Sequence, residues 1–106
     1  MVTKFKNIEF LPKDGKRLKL VSAEGVFDPN TTTELLISAA KRTVSKSTKV
    51  LDLGCGTGVV GLSLWLDGLA KEPIYASDLS EPSVSCSREN FKKYECKADV
   101  RCGALF

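Results

Sequence analysis

The sequence contains no histidine, and its four cysteines form no C-x-x-C pair. Without imidazole ligands or a paired cysteine motif, a zinc site is not expected, and we assign no metal. The lack of histidine also removes the usual base that activates a serine or cysteine nucleophile. We therefore interpret the cysteines as reduced thiols. They lie at Cys55, Cys86, Cys96 and Cys102.

Long apolar segments are absent as well. No stretch approaches the roughly 20 apolar residues that span a membrane, and the first ten residues lack the apolar centre of a secretion signal. Hydrophobic residues make up 42% of the sequence and charged residues 27%, a composition typical of globular domains. The 106 residues leave room for one domain or part of one. We expect a cytoplasmic protein with no membrane partner.

The N-terminal segment predicts a β-hairpin. Alternating stretches at residues 5–11 and 17–21 flank the sequence KDGK at 13–16, and Asp-Gly is a strong signal for a tight turn. We assign residues 1–24 to this hairpin and residues 25–106 to the main domain. Six of the first twenty residues are Lys or Arg. This excess of positive charge is typical of a solvated surface hairpin, with an RNA or ribosomal partner as the alternative.

The remaining sequence alternates helices and strands. Thr31 and Glu34 fit a capping box at the start of a helix over residues 32–44. Ser80 can cap a later helix that has proline near its first turn. Strands are predicted at residues 50–53, 74–78 and 98–102, with helices at 59–69 and 80–93 between them. This order predicts an α/β fold with a parallel sheet and right-handed crossovers.

The sequence LDLGCGTG, residues 51–58, places three glycines at alternate positions between a strand and a helix. Glycines at such a turn let a ligand contact main-chain amides at the helix N-terminus. No lysine follows Gly58, which excludes a P-loop, and the third glycine of a dinucleotide fingerprint is replaced by Val59. About 20 residues after the loop, at the end of the next strand, Asp78 can accept hydrogen bonds from ribose hydroxyls.

The acid, the aliphatic residue and the glycine triplet resemble the first motif of the class I S-adenosylmethionine-dependent methyltransferases. The resemblance implies that Asp52 faces the ammonium of this cofactor, directly or through water. It also implies a Rossmann-like parallel sheet, here incomplete with about three strands, that carries helices on both faces. We interpret Cys55 as a small residue that fits the loop and not as a nucleophile. The predicted cofactor contacts are Asp52, Gly54, Cys55, Gly56, Thr57, Gly58, Asp78, Leu79 and Thr33.

Two further segments narrow the resemblance. GVFDPNTTTELL at residues 25–36 and DLSEPSVSCSREN at residues 78–90 are similar to sequences of the release-factor glutamine methyltransferases. In that family a proline and a Thr-Glu pair open a helix beside the cofactor, which is the basis for including Thr33; ordinary helix capping is the alternative. Asn90 is interpreted as a contact at a helix end.

The resemblance implies transfer of a methyl group to nitrogen, first of all to a protein glutamine amide such as that of a translation release factor. The alternatives are an RNA or DNA base, or a non-catalytic module that binds the cofactor or completes another chain. In this family an acidic residue usually follows the glycine at the end of the third strand and binds the amino group of adenine. In this sequence Ala104 follows Gly103 instead.

The Asn-Pro-Pro-Tyr sequence by which the family holds the substrate nitrogen does not occur in these residues. We therefore expect the N-terminal part of a methyltransferase that is inactive alone and binds cofactor weakly or undetectably, and we assign no catalytic residue. Val50, Leu51 and Leu53 make the first strand apolar on both faces, which is typical of a central strand with two neighbours. A bare edge at this strand predicts that either self-association or another chain covers it.

Overall fold

The computed structural model describes residues 3–12, 15–45 and 48–104. The turn predicted at Lys13 and Asp14 lies outside the described residues. The elements are β1 (Lys6–Phe10), β2 (Leu18–Ser22), α1 (Thr31–Thr43), β3 (Leu51–Leu53), α2 (Val59–Leu66), β4 (Ile74–Asp78), α3 (Glu81–Lys93) and β5 (Ala98–Cys102). Within the described ranges, none of the helices has the length and apolar character needed to cross a membrane.

The first two strands form the predicted hairpin. They pair antiparallel, with Lys6 opposite Ser22 and Phe10 opposite Leu18. Along β2 the side chains of Leu18 and Leu20 are buried and that of Lys19 is exposed, as strand alternation predicts, whereas the following residues Val21 and Ser22 are both buried. Phe10, Leu18 and Leu20 belong to the same hydrophobic core as the residues of the main sheet and its helices. The hairpin thus packs against the parallel sheet and its helices through a shared apolar core.

The main sheet is parallel, in the order β3-β4-β5. Leu51 lies opposite Tyr75, and Ile74 lies opposite Ala98. Helices α2 and α3 connect successive strands, which confirms the predicted α/β class with a three-stranded parallel sheet and a preceding hairpin. The bounds predicted for β4 and β5 are also confirmed.

The distribution of helices over the sheet follows from the direction of the chain. Ile74, Ala76 and Val100 point to one face and are buried. Two right-handed crossovers that proceed in the same direction across a sheet place both of their helices on one face. We expected helices on both faces; in the described part of the chain α2 and α3 share the face of Ile74, because the strand order does not reverse direction. The opposite face carries Leu51 and Tyr75.

Strand β3 forms one edge of this sheet. In the described ranges it pairs only with β4, so the two neighbours expected from its apolar sequence are not both present. Leu51 is 48% exposed and Leu53 is 59% exposed. Among the described residues no second strand lies beside this edge, which carries exposed apolar side chains.

Helix α1 begins one residue earlier than predicted. Its N-cap is Asn30, whose side chain accepts a hydrogen bond from the Thr33 amide at 3.2 Å. The Thr33 hydroxyl in turn accepts one from the Asn30 amide at 3.1 Å. The predicted capping box of Thr31 and Glu34 is wrong, because asparagine is a better N-cap than threonine and occupies the preceding position.

The other helix ends follow local signals. Ser80 caps α3 by accepting a hydrogen bond from the Ser83 amide at 3.3 Å, as predicted. Helix α2 ends at Leu66, three residues before the predicted end at Leu69. Gly68 takes a positive φ of 74° just after this helix, a conformation that commonly ends helices.

Candidate functional site

The loop between β3 and α2 requires its three glycines for their backbone conformation. Gly54, Gly56 and Gly58 have φ values of 68°, 53° and 82°, which residues with a side chain rarely adopt. A Cβ atom built at Gly54 or Gly56 would meet no atom within 4 Å, whereas one at Gly58 would lie 3.0 Å from Phe91. The first two glycines therefore leave open space beside the main chain, and the third lies against α3.

Asp78 at the carboxyl end of β4 holds this loop. Its Oδ2 accepts a hydrogen bond from the Gly56 amide at 3.0 Å, and its Oδ1 accepts one from the Ser80 amide at 2.9 Å. A carboxylate oxygen can accept more than one hydrogen bond, so each retains capacity for a further donor. The neighbouring Leu79 is 76% exposed. Gly56 and Asp78, which are both predicted to contact the same ligand, are thus joined by a hydrogen bond.

Asp52 is a partly buried carboxylate in β3. Its Oδ2 accepts a hydrogen bond from the Gly61 amide of α2 at 3.3 Å. Burial raises the pKa of Asp52 from 3.8 to about 6; the Gly61 hydrogen bond opposes this rise, and the negative charge of Asp78 adds to it. A positively charged group beside these two carboxylates would relieve both the burial penalty and their mutual repulsion.

Cys55 is buried inside the loop. Its Sγ lies 3.0 Å from the Ser87 hydroxyl. Burial raises the pKa of Cys55 from 9.0 to about 11, although the hydrogen bond with Ser87 acts in the opposite direction. The thiol is therefore protonated at neutral pH, which supports its interpretation as a packing residue because thiolate is the nucleophilic form.

Helix α3 holds the loop through two polar side chains. The Ser87 hydroxyl donates a hydrogen bond to the Gly56 carbonyl at 2.7 Å, and the Asn90 amide donates one to the Thr57 carbonyl at 2.8 Å. Ser87 is not among the residues predicted from the sequence, and Asn90 is predicted only as a helix-end contact. The available signal was their spacing of three residues, which places both polar side chains on one face of the helix.

Thr33 is the remaining predicted contact. Its described hydrogen bonds go to Asn30 and serve the N-terminus of α1. Within the described ranges these bonds do not join Thr33 to the glycine loop. Its predicted contact with a cofactor stays a prediction.

Comparison with known proteins identifies the family of this sequence. The family model described as the methyltransferase small domain matches residues 17–106. The release factor glutamine methyltransferase of Dictyoglomus turgidum is 34% identical over 84 residues, which cover 74% of this chain and 28% of that protein. The ribosomal protein L11 methyltransferase of Staphylococcus carnosus is 35% identical over 66 residues, covering 62% of this chain and 20% of that protein. The chain thus spans less than a third of either relative.

Solved structures share the fold. The T. thermophilus 16S rRNA N2 G1207 methyltransferase, in complex with AdoMet and guanosine, superposes with a TM-score of 0.76 at 22% identity, covering 95% of this chain and 27% of that one. The Pyrococcus abyssi tRNA (uracil-54, C5)-methyltransferase, in complex with S-adenosylhomocysteine, gives a TM-score of 0.68 at 17% identity, covering 92% and 24%. Together with the match of the family model over residues 17–106, the sequence and its fold show that this chain belongs to the methyltransferase small domain family.

Proposed function

We propose that this chain forms the S-adenosylmethionine-binding part of a methyltransferase. The observation that carries the proposal is the hydrogen bond from the Gly56 amide to Asp78, because it joins the glycine loop to the carboxylate at the end of the next strand. Both features lie at the carboxyl ends of parallel strands, where ligands of such sheets bind. Membership of the family supports the same cofactor.

The residues present fit the chemical groups of this cofactor. Open space beside Gly54 and Gly56 leaves room for its amino-acid part against the main chain, and the N-terminus of α2 favours its carboxylate. Asp52 offers a negative charge to its ammonium and sulfonium groups. Asp78 retains acceptor capacity for the two ribose hydroxyls, and the exposed Leu79 offers an apolar surface beside the nucleoside. When bound, the cofactor supplies an electrophilic methyl group.

For the methyl acceptor we propose a nitrogen, in the first place a protein glutamine amide. The support is the 34% identity to a protein named release factor glutamine methyltransferase. An RNA base nitrogen is the second candidate, since a structure with the same fold is named as an rRNA N2 methyltransferase. A methyl-transfer assay of the full gene product, with a release factor and with ribosomal RNA as separate substrates, distinguishes the two. Cofactor binding without transfer to either would favour a non-catalytic module.

The partners that follow are a release factor or an RNA, and the location that we propose is the cytoplasm. The described cysteines are all free, and three of them are buried, as is usual in a reducing compartment. Fractionation of cells that produce the tagged full gene product tests this location. Recovery of the protein outside the cytoplasm would contradict it.

The cofactor proposal is tested by Asp78→Ala. We expect this change to weaken S-adenosylhomocysteine binding by about 1 to 3 kcal/mol, because it removes a partly buried acceptor from both the ligand and the Gly56 amide. The measurement is calorimetry on the full gene product, together with an NMR titration of the 106-residue chain, for which we expect weak affinity. The control is Asp99→Ala, whose carboxylate forms a half-exposed ion pair with Arg101 within β5. Equal affinities of Asp78→Ala and wild type would refute the role of Asp78.

A further inference from the structure

Asn90 joins three separate parts of the chain. It lies on α3 and is fully buried. Its Oδ1 accepts a hydrogen bond from the Val21 amide of β2 at 2.7 Å, and its Nδ2 donates one to the Val21 carbonyl at 2.9 Å. The same Nδ2 donates to the Thr57 carbonyl at 2.8 Å. One side chain thereby satisfies both backbone groups of a hairpin residue and one carbonyl of the glycine loop.

Only an amide side chain can make this set of bonds. It requires two N–H donors and one acceptor on a planar group, which asparagine supplies and aspartate does not. The three contacts lie far from water, so each unmatched partner would remain unsatisfied in the interior. A role limited to packing would be served by an apolar residue of similar volume.

Neighbouring residues of α3 extend the contact along the loop. Ser87, Asn90 and Phe91 follow one another on a single helix face. Ser87 binds the carbonyl of Gly56, Asn90 binds that of Thr57, and Phe91 occupies the space that a side chain at position 58 would need. Consecutive loop residues are therefore held by consecutive residues of one helical stripe.

We infer that Asn90 is a positioning residue that couples the docking of the N-terminal hairpin to the conformation of the cofactor loop. The inference rests on the proposed function, in which this loop binds the cofactor. A loop with three glycines in the left-handed region has many alternative conformations, and ordering it when the ligand arrives would weaken binding. Fixing the carbonyls of Gly56 and Thr57 beforehand reduces that loss. Because Asn90 also holds Val21, the hairpin shares in this order.

The coupling must act in both directions. If the contact of the hairpin with Asn90 at Val21 favours the binding-competent loop, a bound ligand must favour that contact by the same factor. The contact of Lys19 with Tyr94 does not include a loop residue and is not coupled in this way. This reciprocity gives a test that needs no substitution. Two hairpin amides serve as reporters: Val21 donates to Asn90, whereas Lys19 donates to the Tyr94 hydroxyl at 2.8 Å.

The first experiment measures hydrogen exchange in the full gene product by NMR, with and without saturating S-adenosylhomocysteine. We expect the ligand to slow exchange of the Val21 amide several-fold more than that of the Lys19 amide. Ligand-induced shifts at Gly56 and Gly58 with equal changes at Val21 and Lys19 would overturn the inference and leave the proposed function intact. The absence of any shift at the loop would overturn both.

The second experiment compares three variants by calorimetry with the same ligand, at a temperature where circular dichroism shows each to be folded. Asn90→Leu removes the bonds to both the hairpin and the loop, and we expect affinity to fall about tenfold or more, which corresponds to the loss of about one net hydrogen bond. Tyr94→Phe is the matched control, because it removes a hairpin bond at the C-cap of the same helix and does not change a contact with the loop. We expect it to change affinity less than twofold.

Ser87→Ala separates the two halves of the coupling. It removes the bond to Gly56 and leaves Val21 held by Asn90, so we expect weaker ligand binding with the difference between Val21 and Lys19 exchange retained. Asn90→Leu should abolish that difference. If Asn90→Leu and Tyr94→Phe lower stability and affinity in the same proportion, Asn90 has only a structural role and the inference is refuted.

Discussion

Replacing Asp52 with asparagine tests whether this chain retains a carboxylate for a ligand although the carboxylate lowers its stability. In the folded chain burial raises the pKa of Asp52 from 3.8 to about 6. Folding therefore favours the protonated form, and at pH 7 the charged form must be held where it is poorly solvated. At pH 7, a rise of this size lowers the free energy of unfolding by as much as about 3 kcal/mol. Asparagine removes the charge and keeps an oxygen that can accept the hydrogen bond from the Gly61 amide.

We expect Asp52→Asn to be more stable than wild type by about 1 to 3 kcal/mol at pH 7. The direction with pH follows from the raised pKa: the contribution of Asp52 is fully favourable below 3.8 and is lost as the pH rises through about 6. The wild type should therefore lose stability between these two pH values relative to the variant, and the two curves should converge in acid. Urea unfolding followed by circular dichroism at several pH values measures this difference.

The same variant should bind S-adenosylhomocysteine more weakly than wild type, since the negative charge opposite the ligand's ammonium is gone. Asp99→Asn is the control for a general effect of removing a carboxylate, because the ion pair of Asp99 with Arg101 is half-exposed and such pairs contribute about 0 to 1 kcal/mol. A variant that is no more stable at pH 7 and has the wild-type pH profile would refute the reasoning about burial. Unchanged ligand affinity would refute the role in binding.

An alanine in the left-handed conformation costs roughly 1 to 2 kcal/mol, and Gly58→Ala should cost more because its Cβ would also press on Phe91. Thermal unfolding measures this additional loss of stability by comparison with the control Gly54→Ala. Iodoacetamide should label the exposed Cys102 long before Cys55, whose burial raises its pKa to about 11; mass spectrometry of the folded chain reads the order, and equal rates would contradict it. The 106-residue chain should associate with a second copy through the exposed edge of β3. Sedimentation velocity should show Leu53→Lys as a monomer, and a wild-type chain that is itself monomeric would refute this association.

The sequence alone determined the elements that have strong local signals. Ser80 before a proline-containing helix predicted the position of α3, and the alternating order of strands and helices predicted β4 and β5 with their bounds. The alternate glycines predicted an unusual turn between β3 and α2, since few other residues accept a positive φ at three nearby positions. The acid at each strand end then indicated which edge of the sheet carries the candidate site. These features depend on residues close together in sequence.

Only the tertiary structure decided how distant polar groups meet. Asn90 finds Val21 at a separation of 69 residues and Thr57 at 33 residues, and no local periodicity carries that information. The raised pKa of Asp52 likewise depends on the burial that α2 and the neighbouring strand create around it. Binary patterns of apolar and polar residues state which positions are buried, but a hydrogen bond in the interior depends on the direction of single atoms, and this is determined only when strands, hairpin and helices pack together.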